Sequence, residues 1–429
     1  MQRRTFVGAA SAAAAAGAPV EPKKQPIRVN HWGPDFYGEP EQQQLVEVLE
    51  SRNPFRWYAG AGSKVLAFEK EFAARMGTRY ALGVTSGTAA LQVAMAALEI
   101  GPGDEVILPA WTWHSCFNAV VLAGALPVIA EIDETFNIDP NDIERHITPG
   151  TKAILAVHLQ GNPCRIDKVL EIARKHKLRV IEDCAQSVGA SFQGRALGSL
   201  GDIGIYSLQQ NKTITAGEGG AVVTSDPVLF ERASRFHDLG EMRGPHVEVV
   251  GGAKQLDWFI GANYRMNEFT GGVLLAQVRK LDRIVAGVRA GARRVYEGIA
   301  DLPGLELRMR PDPAGELGTG VFVGFRDKAR RDRFVAGLRA EGIPAGGPGG
   351  SVVLPLLPHV QKKSTVHPAW PSFTSERGKA IHYGPESCRR TVSILDRFGG
   401  PTMGPRLTRD DTDRIVAAVR HVYGLVQAG

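Results

Sequence analysis

Between residues 80 and 225 the chain alternates seven short apolar runs with stretches of helical periodicity, and few architectures accommodate that rhythm. The runs are "YALGVT", "DEVILPA", "PVIAEI", "KAILAVHL", "RVIEDCA", "IGIYSL" and "AVVTS". Between the first five lie "AALQVAMAALEI", "CFNAVVLAGA", "PNDIERHI" and "IDKVLEIARKHK", whose apolar spacing predicts helices. Strand and helix in strict alternation build a mostly parallel sheet covered on both faces, so the fold class is α/β. In such sheets ligands sit beyond the carboxyl ends of the strands, which is where chemistry is to be sought.

Past residue 265 the texture changes. "NEFTGGVLLAQVRKLDRIVAGVRAGARRVYEGIADL" reads as one long helical passage with Leu274, Val278 and Leu281 on a common face. "LELRM", "GVFVGF", "KARRDRFVAGLRAEG" and a final helix "TRDDTDRIVAAVRHVY", opened by Thr408 with Asp410 and Asp411 in its first turn, suggest a smaller α+β domain. The expected division is 1–26 as a leader or tail, 27–265 as a large α/β domain with a seven-stranded sheet, 266–300 as connecting helices, and 301–429 as a small C-terminal domain. Fifty glycines among 429 residues, against a usual ~7%, cluster in short turns and suit the strand-to-helix junctions of this design.

Composition excludes several classes. A net charge of +6 with Lys and Arg scattered argues against nucleic acid as partner. Cys116, Cys164, Cys184 and Cys388 lie far apart with no C-x-x-C pair, so neither a zinc site nor a disulfide framework is expected, and no metal is called. They read as interior thiols. Beyond the N-terminal segment no run of about 18 apolar residues occurs, so no membrane span is expected. "IPAGGPGGS", residues 343–351, lacks the Gly-Lys-Ser/Thr ending of a phosphate-binding P-loop.

Four stretches fall at strand ends. In "TSGTAAL", residues 85–91, small residues open an apolar helix whose first N–H groups suit a phosphate, or are served by a plain cap from Ser86 or Thr88. In "VIEDCAQS", Asp183 ends a buried strand and requires a cation or several donors, whether a ligand, a structural arginine or the next helix. "PAWTWHS" sets Trp111 and Trp113 at the same edge, where an indole covers a flat ligand or fills core. Lys212 follows Asp183 by 29 residues, with Gly217, Gly219 and Gly220 behind it to turn the chain. A lysine there is either a solvated charge or, partly desolvated, a nucleophile towards carbonyls. Together the four match the needs of pyridoxal 5'-phosphate: a phosphate cradle, an aromatic cover, a carboxylate for the pyridine nitrogen and a Schiff-base lysine.

With "SGTAAL", "GPGDEVILPAWTW", "VHLQGNP", "VIEDCAQSVGASFQGRALGSLGD", "YSLQQNKTITAGEGGAVVT" and "GANYRMNEF" in series, the chain resembles the DegT/DnrJ/EryC1/StrS family of pyridoxal-phosphate sugar aminotransferases, of fold type I. The likeness is close over residues 27–300 and loose beyond. It implies Lys212 as the Schiff-base lysine, Asp183 as partner of the ring nitrogen, Gly87, Thr88 and Ser207 at the phosphate, Trp113 stacked on the ring and Gln186 beside the ring oxygen. It also implies that Asn263 reaches the phosphate of a neighbouring subunit, hence a homodimer with shared active sites.

The family's sugar dehydratase branch carries histidine at the lysine position. This chain keeps Lys212, which favours ping-pong transfer from glutamine or glutamate to a keto sugar, nucleotide-linked or not, or a keto cyclitol. Elimination or dehydration, and a non-catalytic regulatory protein retaining the cofactor, are the alternatives. Two features depart from the family. "MQRRTFVGAASAAAAAGAP", with Arg3 and Arg4, resembles a twin-arginine export signal or is a disordered tail, leaving the compartment open between cytoplasm and export. The passage from "LPHVQKK" to "CRRTVSIL" assigns no substrate contact, and Trp57 and Tyr58 in "FRWYAGAGS" serve either the pocket or a dimer contact.

Overall fold

The computed structural model describes residues 25–29, 32–252 and 256–428; the segment bearing Arg3 and Arg4 lies outside the described residues. All seven apolar runs are strands: β1 (Tyr80–Val84), β2 (Glu105–Pro109), β3 (Leu126–Ala130), β4 (Thr151–Val157), β5 (Arg179–Asp183), β6 (Ile203–Ser207) and β7 (Gly220–Thr224). They form one sheet in the order β1-β7-β6-β5-β4-β2-β3. β7 runs antiparallel to both of its neighbours and every other pairing is parallel. The fold is of the α/β class.

The strands are mostly apolar because both faces are buried, with charged residues such as Glu105, Arg179, Glu182 and Asp183 confined to their ends. On one face Leu82, Leu108, Leu155, Ile181 and Ile205 pack with helices that include Gly87–Ala97, His114–Leu122 and Pro227–His237. On the other, Ala81, Ile107, Ile154, Val180 and Val223 meet Phe68 and Phe72 of the helix Lys64–Met76, Val169 of Ile166–His176 and Leu274 of Glu268–Val278. The four helices expected between the first five strands are present, the shortest being Pro140–Arg145, whose N-cap Asp139 accepts from the Asn141 amide at 3.0 Å.

The long helical passage is broken. Glu268–Val278 and Leu281–Ile299 are separate helices, and at the break Lys280 turns its amine onto Glu41 and the Phe36 carbonyl, a contact that a continuous solvent-facing helix would not make. A third apolar cluster, with Val288, Val295, Val323, Phe334, Leu338 and Val419 among its members, joins Leu281–Ile299, Lys328–Ala340 and Arg409–Ala428 to a four-stranded antiparallel sheet. The last helix opens as the sequence suggests: the Asp411 amide donates to Thr408 Oγ1 at 3.1 Å and the Thr408 amide to Asp411 Oδ2 at 2.9 Å.

Residues 352–395 return to the large sheet. Val352–Val353 pairs with Trp111–Thr112, the Trp370 indole donates to the Val121 carbonyl at 2.5 Å, and the Tyr383 hydroxyl donates to the Pro127 carbonyl at 2.6 Å. β3 ends the sheet, and this passage covers it. Among the described residues no helix is long and apolar enough to cross a membrane.

Candidate active site

A cavity of about 580 Å³ opens beyond the carboxyl ends of β5 and β6. Of the eight residues singled out in the sequence, seven line it: Gly87, Thr88, Trp113, Asp183, Gln186, Ser207 and Lys212. Asn263 does not. It is exposed, bridges to Asp238 across a short antiparallel contact, and accepts the Arg265 amide at 3.4 Å.

Asp183 is the last residue of β5, buried at 3% exposure. Its Oδ1 accepts the Ala185 amide at 2.9 Å and its Oδ2 the Cys116 thiol at 3.2 Å. Burial raises its carboxyl above the usual aspartate value, an effect that these two donors and the charge on Lys212 offset only in part. Lys212 lies in the loop between β6 and β7. That loop is folded on itself: the Lys212 amide donates to the Gln209 carbonyl at 2.9 Å, the Thr215 hydroxyl to the Leu208 carbonyl at 2.9 Å, and Gly217 takes φ +85°. Only glycine adopts that last conformation without strain. Burial lowers the Lys212 ammonium, with Asp183 opposing, so the amine gives up its proton more readily than a surface lysine. Among the described residues neither Asp183 nor Lys212 takes part in an ion pair at contact distance.

The helix start does two things at once. Ser86 caps Gly87–Ala97 by accepting the Ala89 amide at 3.1 Å, while the amides of Gly87 and Thr88, at the first two helical positions, have no acceptor within the helix. Ser207 ends β6 directly beside them, so close that a Cβ on Gly87 would stand 2.6 Å from its Cβ. The Thr88 hydroxyl pairs with Ser115 at 2.9 Å. Trp113 rims the cavity at 47% exposure, its ring 4.3 Å from that of His114. Gln186 has a structural engagement that its sequence does not reveal: its amide donates at 3.0 Å to both the Gly350 carbonyl and Ser351, and its Oε1 accepts the Gln160 amide at 3.0 Å.

A match to the DegT/DnrJ/EryC1/StrS aminotransferase family model runs over residues 37–350, most of the chain. The chain belongs to that family. Among relatives of this aminotransferase, GDP-perosamine synthase of Vibrio cholerae is 31% identical over 361 residues, 80% of this chain and 94% of that protein. The GDP-perosamine synthase of Caulobacter vibrioides is 41% identical over 249 residues, but the aligned part spans only 57% of this chain and 63% of that protein. In structure, 3-amino-5-hydroxybenzoic acid synthase superposes with a TM-score of 0.76 at 27% identity, covering 94% of this aminotransferase and all of that chain. Family members are pyridoxal-phosphate enzymes.

Several residues of the aminotransferase's cavity carry no local signal in the sequence. Trp32 and Met403 arrive from near the two ends of the chain, and Gln160 and Thr319 from loops that bond to each other, Thr319 Oγ1 donating to the Gln160 carbonyl at 2.7 Å. All four cysteines are buried, as expected, but Cys116 is more than an interior thiol because it contacts Asp183. His158, Glu182 and Cys184 lie close enough to suggest a metal triad, yet Glu182 already accepts the amides of Gly198, Leu200 and Gly201 and bonds His158, whose Nδ1 accepts the Cys164 amide. Those bonds hold the 198–201 turn against β5.

Proposed function

We propose that this aminotransferase moves an amino group from glutamine or glutamate to a keto sugar, nucleotide-linked or free, or to a keto cyclitol, with pyridoxal 5'-phosphate held in the cavity. The observation that carries the reading is the pair Asp183 and Lys212: a buried carboxylate and a partly desolvated amine facing one cavity. The residues present fit the cofactor. A carboxylate whose burial raises its proton affinity wants a cation, which a protonated ring nitrogen provides. The free amides of Gly87 and Thr88 with the Ser207 hydroxyl form an anion site at a helix start.

When bound, the cofactor supplies an aldehyde that takes up amines and a ring that draws electrons from the substrate carbon bearing the nitrogen. Gly87, Thr88 and Ser207 would hold the phosphate, Asp183 would keep the proton on the ring nitrogen, and Trp113 would cover the ring. Lys212, whose ammonium burial makes easier to deprotonate, would take the proton from the substrate carbon at its Nζ and return it. Gln186, which holds the Gly350 carbonyl and the Ser351 hydroxyl at the cavity rim, would also lie beside the ring. An amine at position 212 disfavours both elimination chemistry and a non-catalytic regulatory role.

The same reading makes the working unit a homodimer in which Asn263 serves the neighbouring subunit's site, supported by its position outside the cavity and by Ile260 and Trp258 beside it, 95% and 66% exposed. The large domain, 27–265, would carry the cofactor, with residues 301–429 as the smaller partner. As a test, cofactor-loaded protein given L-glutamate in single turnover should release one equivalent of 2-oxoglutarate, and Lys212→Ala none. Loaded protein that releases no keto acid from glutamate or glutamine would sink the reading.

A further inference from the structure

We infer that Cys116 is a positioning residue for the reaction: its thiol is the second donor that fixes the Asp183 carboxylate towards the cavity, and it is itself oriented by Thr112. This deepens, and rests on, the reading of Asp183 as the ring-nitrogen partner. The geometry is a short chain of contacts. Thr112 Oγ1 lies 3.2 Å from Cys116 Sγ, which lies 3.2 Å from Asp183 Oδ2, and all three residues are buried. An ionised carboxylate only accepts, so the thiol donates to it, and the Thr112 hydroxyl donates to sulfur. Burial, with the neighbouring Asp183 charge second, holds the thiol proton well above the ordinary thiol range, which favours Cys116 as a donor.

The consequence lies in what is left free. With Oδ1 taken by the Ala185 amide and Oδ2 by Cys116, the carboxylate cannot turn about its Cβ–Cγ bond without losing a donor. A thiol is a weaker donor than a hydroxyl, so it orients the carboxylate without drawing much of its negative charge. That suits an acid whose task is to keep a proton on a ring nitrogen. Cys116 comes from the first turn of the helix His114–Leu122 and Thr112 from the strand pair Trp111–Thr112 with Val352–Val353, so residues 352–353, just past the end of the family match at residue 350, support the site through this relay.

Two measurements on the full-length protein test this. In cofactor-free protein, infrared difference spectra of wild type against Cys116→Ala assign the Cys116 S–H stretching band, and Asp183→Asn should shift it. In loaded protein, Cys116→Ala should raise the dissociation constant for pyridoxal phosphate about fivefold, equivalent to about 1 kcal/mol. Cys116→Ser should bind within about twofold of wild type while moving the pH at which the visible absorption titrates, because its stronger donor makes Asp183 less basic. In an Asp183→Asn background, Cys116→Ala should add nothing. An S–H band unmoved by Asp183→Asn overturns the proposal, as does a Cys116→Ala protein that binds like wild type while Asp183→Asn binds poorly. If Asp183→Asn itself binds and titrates like wild type, the ring-nitrogen reading fails and the proposal with it.

Discussion

Asp183 shows how a single buried carboxylate is costly to the empty protein and useful to the loaded one. Its carboxyl holds a proton to higher pH in the folded chain than the ordinary value of 3.8, mainly through burial. The folded state therefore binds more protons than the unfolded state in the interval above 3.8, and stability falls as pH rises through it. Asp183→Asn removes that loss. Melted without cofactor at pH 7, the variant should unfold about 1–3 °C above wild type, and the gap should close as pH falls below the ordinary aspartate value. A variant that melts below wild type at pH 7 would mean that Asp183 already has a compensating cation in the empty protein. With cofactor present the order should reverse, since only wild type gains a charged partner at the ring.

Elements, rather than residues, carry the site to its place. The helix Lys64–Met76 is tied to β1 by Glu69, which accepts the Gly83 amide at 2.7 Å and the Arg56 guanidinium at 2.6 Å, with His246 on its other oxygen at 3.1 Å. Burial alone would raise the Glu69 carboxyl, but Arg56 and His246 bring it down to about 2. The contribution is present above the unfolded carboxylate value of 4.5 and is lost as pH falls through about 2. Arg56→Ala leaves the buried Glu69 carboxylate with only the Gly83 amide and His246 and should cost about 3–5 kcal/mol in urea unfolding at pH 7. A loss under about 1 kcal/mol would show that water or a rearranged histidine replaces the guanidinium. Arg56 is flanked by Trp57, its guanidinium 4.3 Å from the ring, so the "FRWYAG" stretch is anchored from beneath while Tyr58 stands 76% exposed. Sequence made the large sheet legible for a physical reason. A strand buried on both faces must be apolar along most of its length, and seven such runs are hard to mistake. The residues that end those strands were legible too, because a charge after an apolar run demands a partner. The Cys116 contact was not, since 67 residues separate it from Asp183 and a lone cysteine carries no period. Nor was the packing of 352–395, whose short helical turns take their shape from distant carbonyls at Val121 and Pro127.

At the scale of the whole molecule the proposed reading implies two chains. Asn263 lies outside the cavity of its own chain, beside exposed Ile260 and Trp258, so on the proposed reading any part it has in catalysis would be at a neighbour's site. If sites are shared, Asn263→Ala and Lys212→Ala, each poorly active alone, should recover activity when unfolded and refolded together. Half the dimers would be mixed and one site in each would be intact, giving about a quarter of wild-type activity by symmetry. Mixing without recovery would place Asn263 outside the neighbour's site. An aspartate at position 260, introduced as Ile260→Asp, should shift the sedimentation of the protein towards a monomer and lower activity with it, whereas an unchanged dimer would locate the interface elsewhere.

The central claim is that the Lys212 amine meets the aldehyde of pyridoxal phosphate in the cavity beside Asp183. The direct measurement is borohydride reduction of the loaded protein followed by peptide mass mapping. The account predicts one pyridoxyl group per chain, on the peptide carrying Lys212, with labelling abolished in Lys212→Ala. Label on another lysine, or specific labelling that persists in Lys212→Ala, would contradict it.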